Sequence, residues 1–225
     1  KVIPRLDRLV TTYRDLGQRE RTIELHTRAL EILESVHGTD HLDVAERLTI
    51  LGNAYYEMER YADAEPVERR SLEIIERTLG QDHPHLLLRL DNLAATYRAE
   101  GRYPEAIVLQ RRSVALTEAT YGPDDLELAE RLGLLGNSYY RHGQPEHSVP
   151  VEERALAITE AALGEHHVDL VLRLSNLAAS YRQRGRLAEA VPLLKRALQI
   201  ATDNDLDDPI VDDIRDLLDS GAPDK

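Results

Sequence analysis

The stretch that decides the fold is Leu51-Gly52-Asn53-Ala54-Tyr55-Tyr56, which returns 84 residues later as Leu135-Gly136-Asn137-Ser138-Tyr139-Tyr140. A looser form, a leucine followed four residues later by a tyrosine, recurs every 42 residues, at Leu9, Leu51, Leu93, Leu135 and Leu177. A fixed period of this length indicates a repeat architecture. Such a protein grows by adding units, and each unit packs only on its neighbours.

Composition narrows the class of protein. The chain is 42% hydrophobic and 31% charged, which is typical of a water-exposed helical protein, and it contains no Phe and no Trp. Its formal net charge of −13 argues against general nucleic-acid binding, which needs Lys and Arg against phosphate. The chain contains no cysteine, which excludes disulfides and thiolate chemistry. No apolar run approaches a membrane span, so we expect a cytoplasmic protein without nucleic-acid or membrane partners.

The spacing of apolar residues predicts two amphipathic helices in each period. Five helix pairs are expected, at about 4–38, 41–80, 83–122, 125–164 and 167–203. Glycines at the ends of the pairs, such as Gly38 and Gly80, are typical helix terminators. Residues 204–219 are half apolar and half acidic, which predicts a terminal capping helix, and residues 220–225 are expected to be a tail.

One set of positions resembles the tetratricopeptide repeat (TPR) pattern: a Leu-Gly-x-x-Tyr on the first helix, then two small residues on the second. In the second unit these positions are Leu51, Gly52, Tyr55, Ala64 and Ser71. The usual TPR period is 34 residues, and the longer period here is similar to the kinesin light chain type. The resemblance covers residues 4–203 and implies an all-α, right-handed superhelical solenoid of five helix pairs that binds proteins.

The resemblance also implies that the first helices line a concave groove. Peptide-binding TPRs place asparagines at two groove positions, which here are filled by Asn53 and Asn92, and again by Asn137 and Asn176. A carboxamide both donates and accepts, so it can bind a peptide backbone whatever the side chain. The alternative is that these asparagines only tie neighbouring helices together.

One residue after the Tyr of each first helix, the chain alternates between tyrosine and arginine. Tyr56 and Tyr140 are expected to pack on apolar side chains of a peptide, and Arg98 and Arg182 to select acidic ones. A clamp for a terminal carboxylate is not predicted, because its basic positions hold other residues: Thr49, Leu88, Asn92, Gly133, Leu172 and Asn176.

Catalytic motifs are not found: there is no P-loop, GxGxxG, HExxH or GxSxG. Histidines cluster in the linkers between units, but a metal site is not predicted, because equivalent linkers lie one repeat apart and the adjacent pairs have no third ligand. Linker and helix-cap roles are expected instead: His37, His41, His83, His85, His166 and His167. We therefore predict no enzyme activity, no cofactor and no metal.

Two arginine series follow the period. Arg47, Arg89, Arg131 and Arg173 each follow, by 13 residues, a glutamate of the preceding helix, which predicts ion pairs between repeats. The alternative is an arginine ladder for an acidic ligand. The second series is expected to be a solvated outer face: Arg28, Arg70, Arg112, Arg154 and Arg196.

The predicted function is a non-enzymatic scaffold that binds an extended peptide, acidic with apolar or aromatic side chains, through eight groove residues: Asn53, Tyr56, Asn92, Arg98, Asn137, Tyr140, Asn176 and Arg182. Because fold does not give function, two alternatives stay open. The chain could be the sensor or oligomerisation arm of a larger multidomain signalling protein, such as a STAND-type NTPase, or a scaffold that associates with itself.

Overall fold

A computed structural model describes residues 2–220, and within that range the chain forms eleven α-helices and no β-strand. The helices are α1 (Ile3–Asp15), α2 (Arg19–His37), α3 (Leu42–Glu57), α4 (Tyr61–Leu79), α5 (Leu86–Ala99), α6 (Tyr103–Tyr121), α7 (Leu126–Arg141), α8 (Pro145–Leu163), α9 (Leu170–Gln183), α10 (Leu187–Asp203) and α11 (Pro209–Ser220). The predicted all-α fold of repeated helix pairs is confirmed. Of the predicted tail, all but Ser220 lies outside the described residues.

The chain divides into two compact units, Lys1–Leu116 and Thr117–Lys225. In the first unit, α1 packs on α2 and α3 on α4, and each second helix also packs on the next first helix, α2 on α3 and α4 on α5. The second unit repeats this arrangement with α7 on α8, α8 on α9 and α9 on α10, and α11 packs on α10. Each unit therefore has its own core.

Leucines and small residues fill both cores, as the absence of Phe and Trp requires. A core leucine recurs in four of the first helices, at Leu48, Leu90, Leu132 and Leu174, and none of these side chains is more than 2% exposed. Fully buried alanines, such as Ala64 and Ala190, lie where paired helices approach each other. The 42-residue period is thus the period of core packing.

Three linker histidines accept hydrogen bonds from backbone N–H groups near the starts of the first helices. The Nδ1 atoms of His41, His83 and His167 accept the backbone N–H two residues later, at 3.1, 3.2 and 3.3 Å. Asp125 occupies the equivalent position, and its Oδ1 accepts from Glu127 at 2.8 Å. His41 and Asp125 satisfy a backbone donor that the first turn of α3 or α7 leaves open. His83 and His167 accept from the residue just before α5 or α9, so the expected capping role belongs to an imidazole at α3 and a linker role to the other two.

A buried glutamate lies behind the glycine of each Leu-Gly-Asn stretch. A Cβ on Gly52 would lie 2.6 Å from Cγ of Glu68, and one on Gly136 would lie 2.5 Å from Cγ of Glu152. Both glutamates are 3% exposed. Burial raises the pKa of Glu68 and raises the pKa of Glu152 to about 7. These glycines make room for a carboxyl side chain.

The hydroxyl groups of the next first helix partly satisfy these carboxyls. Thr96 donates to Oε2 of Glu68 at 2.7 Å, and Ser180 forms a hydrogen bond that lowers the pKa of Glu152, against the larger effect of burial. Units without the glycine have no buried glutamate: Ala94 is followed sixteen residues later by Gln110, and Ala178 by Leu194.

The prediction for the two arginine series has the wrong partners. Arg47 and Arg173 of the first series do form ion pairs between repeats, but with carboxylates of the first helices, and the second series is ion-paired instead of only solvated. The repeated glutamates pair with the second series, which joins neighbouring second helices through Glu34–Arg70, Glu76–Arg112, Glu118–Arg154 and Glu160–Arg196. Sequence spacing alone does not show how far one second helix is offset along the next. The offset that packing imposes places each glutamate beside an arginine 36 residues later.

In the first arginine series, Arg47 and Arg173 join neighbouring first helices, while Arg131 pairs with Glu127 of its own helix. Arg47 donates to Asp7 of α1 at 2.8 Å, and Arg173 donates to Glu130 of α7 at 2.5 Å. Arg89 has no such carboxylate within hydrogen-bond distance in the described residues, and its NH1 donates to the carbonyl of His85 at 3.2 Å. The aliphatic parts of these buried side chains pack in the helix interface while the guanidinium groups pair at its edge.

Candidate functional site

Each unit has exposed residues along one face of its first helices, and we call this face the first-helix stripe of that unit. In each helix the stripe residues are three or four positions apart, so they share a face. The stripe consists of Ile50 and Asn53 on α3, Leu88 and Asn92 on α5, Leu134 and Asn137 on α7, and Leu172 and Asn176 on α9. Its apolar members are 41 to 51% exposed. Because these large side chains are left open in a repeated pattern, the stripe is a candidate contact surface.

Two of the predicted asparagines meet in the first unit. Nδ2 of Asn92 donates to Oδ1 of Asn53 at 2.6 Å, across the gap between α3 and α5. Each carboxamide offers two donor hydrogens and an acceptor oxygen. The pair therefore ties the helices together, as one interpretation predicted, and keeps a donor group on Asn53 and an acceptor on Asn92 for a ligand.

The second unit carries the same stripe, with Asn137 and Asn176 half-buried on α7 and α9. Asn137 already has an interaction partner within the chain. Beneath the stripe, the ion pair of Arg173 with Glu130 joins α9 to α7. Gly133 makes room for it, because a Cβ there would lie 2.0 Å from NH1 of Arg173.

The predicted tyrosines and arginines lie one turn further along, beside the hairpin turns. The Tyr56 ring packs edge-on against Tyr61 of α4, with ring centroids 5.3 Å apart. Tyr140 is half-buried on α7. Arg98 and Arg182 are half-buried and have partners within the chain. The structure thus brings the asparagines of α3 and α5 into contact, while the Tyr56 ring contacts the second helix α4.

Two cavities border the stripe in the first unit. One of about 450 Å³ lies between α1 and α3 and is lined by Asn53, Ile50 and Arg14, with His26 from α2. Burial lowers the pKa of His26, and the neighbouring Arg47 charge acts in the same direction. The second, of about 640 Å³, lies at the start of α3 and is mostly apolar. Ile50 lines both cavities, so the exposed stripe is bordered by concave surface at this residue.

Sequence reasoning missed the apolar half of the stripe. Its signal was present, because the asparagine position alternates as Ile50, Asn92, Leu134 and Asn176 in successive units. Leu88 and Leu172 likewise alternate with Glu46 and Glu130. An apolar residue that recurs every 84 residues at an otherwise polar position predicts a ligand-facing side chain as strongly as an asparagine does.

Comparison with known families is decisive for the fold. A sequence model of the tetratricopeptide repeat matches residues 3–77, 50–118, 85–161 and 153–203. The chain belongs to the tetratricopeptide repeat family. Its TPR units are of the long type that the sequence predicted. Comparison with curated proteins found no match.

Solved structures with the same fold include other long-period TPR proteins. A Podosopora anserina structure, described as a kinesin light chain with nearly identical TPR-like repeats, is 24% identical, with a TM-score of 0.79 over 90% of this chain and 96% of that one. BtubC (BKLC) from P. vanneervenii is 19% identical, with a TM-score of 0.78 over 90% and 81% of the two chains. The apo form of RapI is 16% identical, with a TM-score of 0.76 over 91% and 72%.

These likenesses show the TPR fold. Within residues 2–220, no helix is both long and apolar enough to cross a membrane.

Proposed function

We propose that this TPR chain is a protein-interaction scaffold that binds an extended peptide on the first-helix stripe of each unit. The observation that carries the proposal is the hydrogen-bonded Asn53–Asn92 pair between exposed Ile50 and Leu88. The same four residue positions recur in the second unit with asparagine at two of them and leucine at the others.

The asparagine pair suits a peptide backbone. An extended peptide presents N–H and C=O groups that lose water on binding, and each needs a partner. The remaining donor of Asn53 and the acceptor of Asn92 are complementary to one C=O and one N–H. Because their mutual bond fixes both rotamers, little side-chain freedom remains to be lost when the peptide binds.

The apolar residues suit hydrophobic side chains of the same peptide. Ile50 and Leu88 flank the pair in the first unit, and Leu134 and Leu172 take the same positions in the second. Burial of each leucine-sized side chain contributes roughly 1.5–3 kcal/mol. An additional preference for acidic residues would come from Arg98 and Arg182. It is supported only by their charge, since both already have partners within the chain.

A displayed library of random peptides, selected on the full chain, tests the proposal. We expect the selected peptides to share apolar residues. The Asn92→Ala variant should weaken their binding by about 1–3 kcal/mol, since a bound backbone group is left unpaired. The Leu88→Ser variant should also weaken it. Val108→Ser is the matched control, because Val108 is an apolar residue 68% exposed on a second helix, away from the stripe.

Two results would contradict the proposal. One is a selected peptide that binds Asn92→Ala and Leu88→Ser as tightly as the wild type. The other is Val108→Ser weakening binding as much as Leu88→Ser, since the second helices would then carry the site. The proposed role is binding, and it assigns no reaction to the chain.

A further inference from the structure

The linker between α2 and α3 gathers three side chains that are common metal ligands. One ligand atom from each of His37, His41 and Asp43 lies within 4.8 Å of the other two. Nε2 of His37 is 3.7 Å from Oδ2 of Asp43, and Nδ1 of His41 is 3.5 Å from the same oxygen. Within residues 2–220, no other group of three such residues lies this close together.

The fold explains how they meet. His37 is the last residue of α2, and Gly38 reverses the chain with φ of 87°. His41 then caps α3, and Asp43 lies in its first turn. The two imidazole rings stack at a tilt, with centroids 4.5 Å apart. The helix end, the turn and the cap therefore place three ligands on one surface.

We infer that His37, His41 and Asp43 form a binding site for a divalent transition-metal ion. Imidazole and carboxylate together suit zinc and its neighbours in the first transition row. Ligands at 2.0–2.2 Å from a tetrahedral ion lie roughly 3.4 Å from each other. The two distances to Asp43 are close to that value. All three side chains are more than a third exposed, so a rotation of the imidazoles can close the remaining distance.

Electrostatics permits a cation there. Asp40, in the same linker, is neutralised by Arg77 at 2.8 Å, while Asp43 has no arginine or lysine partner within 4 Å among the described residues. The nearby cation Arg47 is paired with Asp7. One feature opposes binding: Nδ1 of His41 already accepts the N–H of Asp43, so an ion displaces that bond.

The other linkers are natural controls. The fourth linker repeats the pair, with Nδ1 of His167 3.6 Å from Oδ2 of Asp169, but Leu163 replaces the first histidine. The second has Leu79 there, and the third has Tyr121 before Asp125. The first linker is therefore the one that completes the set within the described residues.

The ion would lie at the rim of the larger cavity. His37 and Asp43 both line that space of about 640 Å³, together with apolar residues such as Val36 and Ile50. An ion held by three protein ligands keeps at least one open coordination position. It would add a point of attachment for a carboxylate or imidazole of a ligand beside an apolar surface. This role is independent of the asparagine pair and of the proposed peptide binding.

The test is a zinc titration of the full chain without a polyhistidine tag, by calorimetry, with the bound metal counted after dialysis. We expect one zinc ion per chain. His37→Leu, which copies the fourth linker, should weaken binding by about tenfold or more, because even the loss of an outer ligand partner weakens metal binding 10- to 100-fold. Leu163→His should raise the count to two ions per chain. Circular dichroism checks that both variants are folded.

Three outcomes would overturn the inference. The wild type could bind no zinc under these conditions. His37→Leu could bind zinc as tightly as the wild type, which would place the ion at other histidines. Leu163→His could leave the stoichiometry at one, which would mean that the geometry shared by the two linkers does not form a site. Cobalt, whose absorption spectrum reports its ligands, should bind the wild type, His37→Leu and Leu163→His with the same relative affinity and stoichiometry as zinc.

Discussion

The helices α3–α5 of the first unit and α7–α9 of the second have the same spacing and differ in what lies beneath their surface. Both carry the asparagine pair positions, the exposed apolar residues and a glutamate buried behind a glycine. Beneath the stripe, however, Arg173 pairs with Glu130, while Arg89 is attracted by Glu46 only through space. The surface pattern is therefore repeated more faithfully than the ion pairs that support it.

The comparison also explains why the chain repeats every 84 residues as well as every 42. Gly52 and Gly136 alternate with Ala94 and Ala178, and the residue they face alternates in step. The longer period is a property of whole helix pairs: a glycine on the first helix, a buried carboxyl on the second and a hydroxyl on the helix that follows. Asn53 and Asn137 share this period and lie on the same first helices as the two glycines.

The largest expected effect concerns the buried carboxyl of the second unit. Since burial raises the pKa of Glu152 from 4.5 to about 7, the native state binds more protons than the unfolded state between these values. Stability contributed by the neutral carboxyl is present below pH 4.5 and is lost as the pH rises to 7. The loss is about 3 kcal/mol in the free energy of unfolding.

Glu152→Gln should abolish this dependence. Both proteins should be unfolded with urea at several pH values. As the pH rises from 4.5 to about 7, the free energy of unfolding of the variant should increase relative to that of the wild type by about 3 kcal/mol. Gln110 already shows that an amide is accommodated at this position in another unit. Glu73→Gln, on the exposed face of α4, is the control and should show no such gain. Equal pH profiles for wild type and Glu152→Gln would contradict the assignment. The stability of Glu68→Gln relative to the wild type should also increase with pH, because burial raises the pKa of Glu68 as well.

The next effect is steric and tests the glycines. Gly136→Ala places a Cβ against Cγ of Glu152, in the middle of a buried side chain that cannot swing away. Overpacking of this kind costs typically about 1–3 kcal/mol. In a Glu152→Ala background the same substitution should be stabilising by up to about 1 kcal/mol, because Ala is the better helix former. A change from destabilising to stabilising, measured from urea midpoints, would show that the glutamate side chain is what requires a glycine at this position.

Gly52→Ala, tested against Glu68→Ala, should reproduce the reversal in the first unit. A penalty that persists without the glutamate would show that the glycines are needed for backbone contacts instead.

Much of this arrangement could be predicted from sequence, and the misses have a common cause. The 42-residue spacing of Leu48, Leu90, Leu132 and Leu174 is set by one helix pair repeated, so the fold follows from it. The meeting of Asn53 and Asn92 also follows, because neighbouring first helices are in register. The pairing of Glu34 with Arg70 could not be predicted, because it depends on how far one second helix is offset along the next. The burial of Glu68 could not be predicted either, because the sequence does not show which side chain of the second helix faces Gly52.

A smaller difference in stability is expected between removing the carboxylate near Arg173 and removing the one near Arg89. Arg173 has a side chain only 8% exposed and pairs with Glu130. Glu130→Ala therefore leaves a buried guanidinium without its carboxylate, which we expect to reduce the free energy of unfolding by about 1–2 kcal/mol. Glu46→Ala, the equivalent change in the first unit, removes only a through-space attraction and should cost a few tenths of that, about 0.2–0.5 kcal/mol. Equal losses in urea unfolding would show that the two arginines are supported alike.

A modest effect is expected in the hairpin turns. The turn between α3 and α4 places Glu59 at φ of 56°, while the equivalent turn between α7 and α8 has Gly143 at φ of 74°. A side chain in this left-handed region costs roughly 1–2 kcal/mol, and glycine's greater freedom in the unfolded chain offsets roughly half of that. Glu59→Gly should thus stabilise the protein by about 0.5–1 kcal/mol.

The reciprocal change, Gly143→Glu, should destabilise the second unit by a similar amount. Both would appear as shifts of the urea midpoint with an unchanged slope, since neither alters the surface exposed on unfolding. If Gly143→Glu were as stable as the wild type, a side chain at this position of the turn would be tolerated without strain. Glu59 would then be an ordinary turn residue, and the two turns, unlike the ion pairs beneath the stripe, would be energetically equivalent.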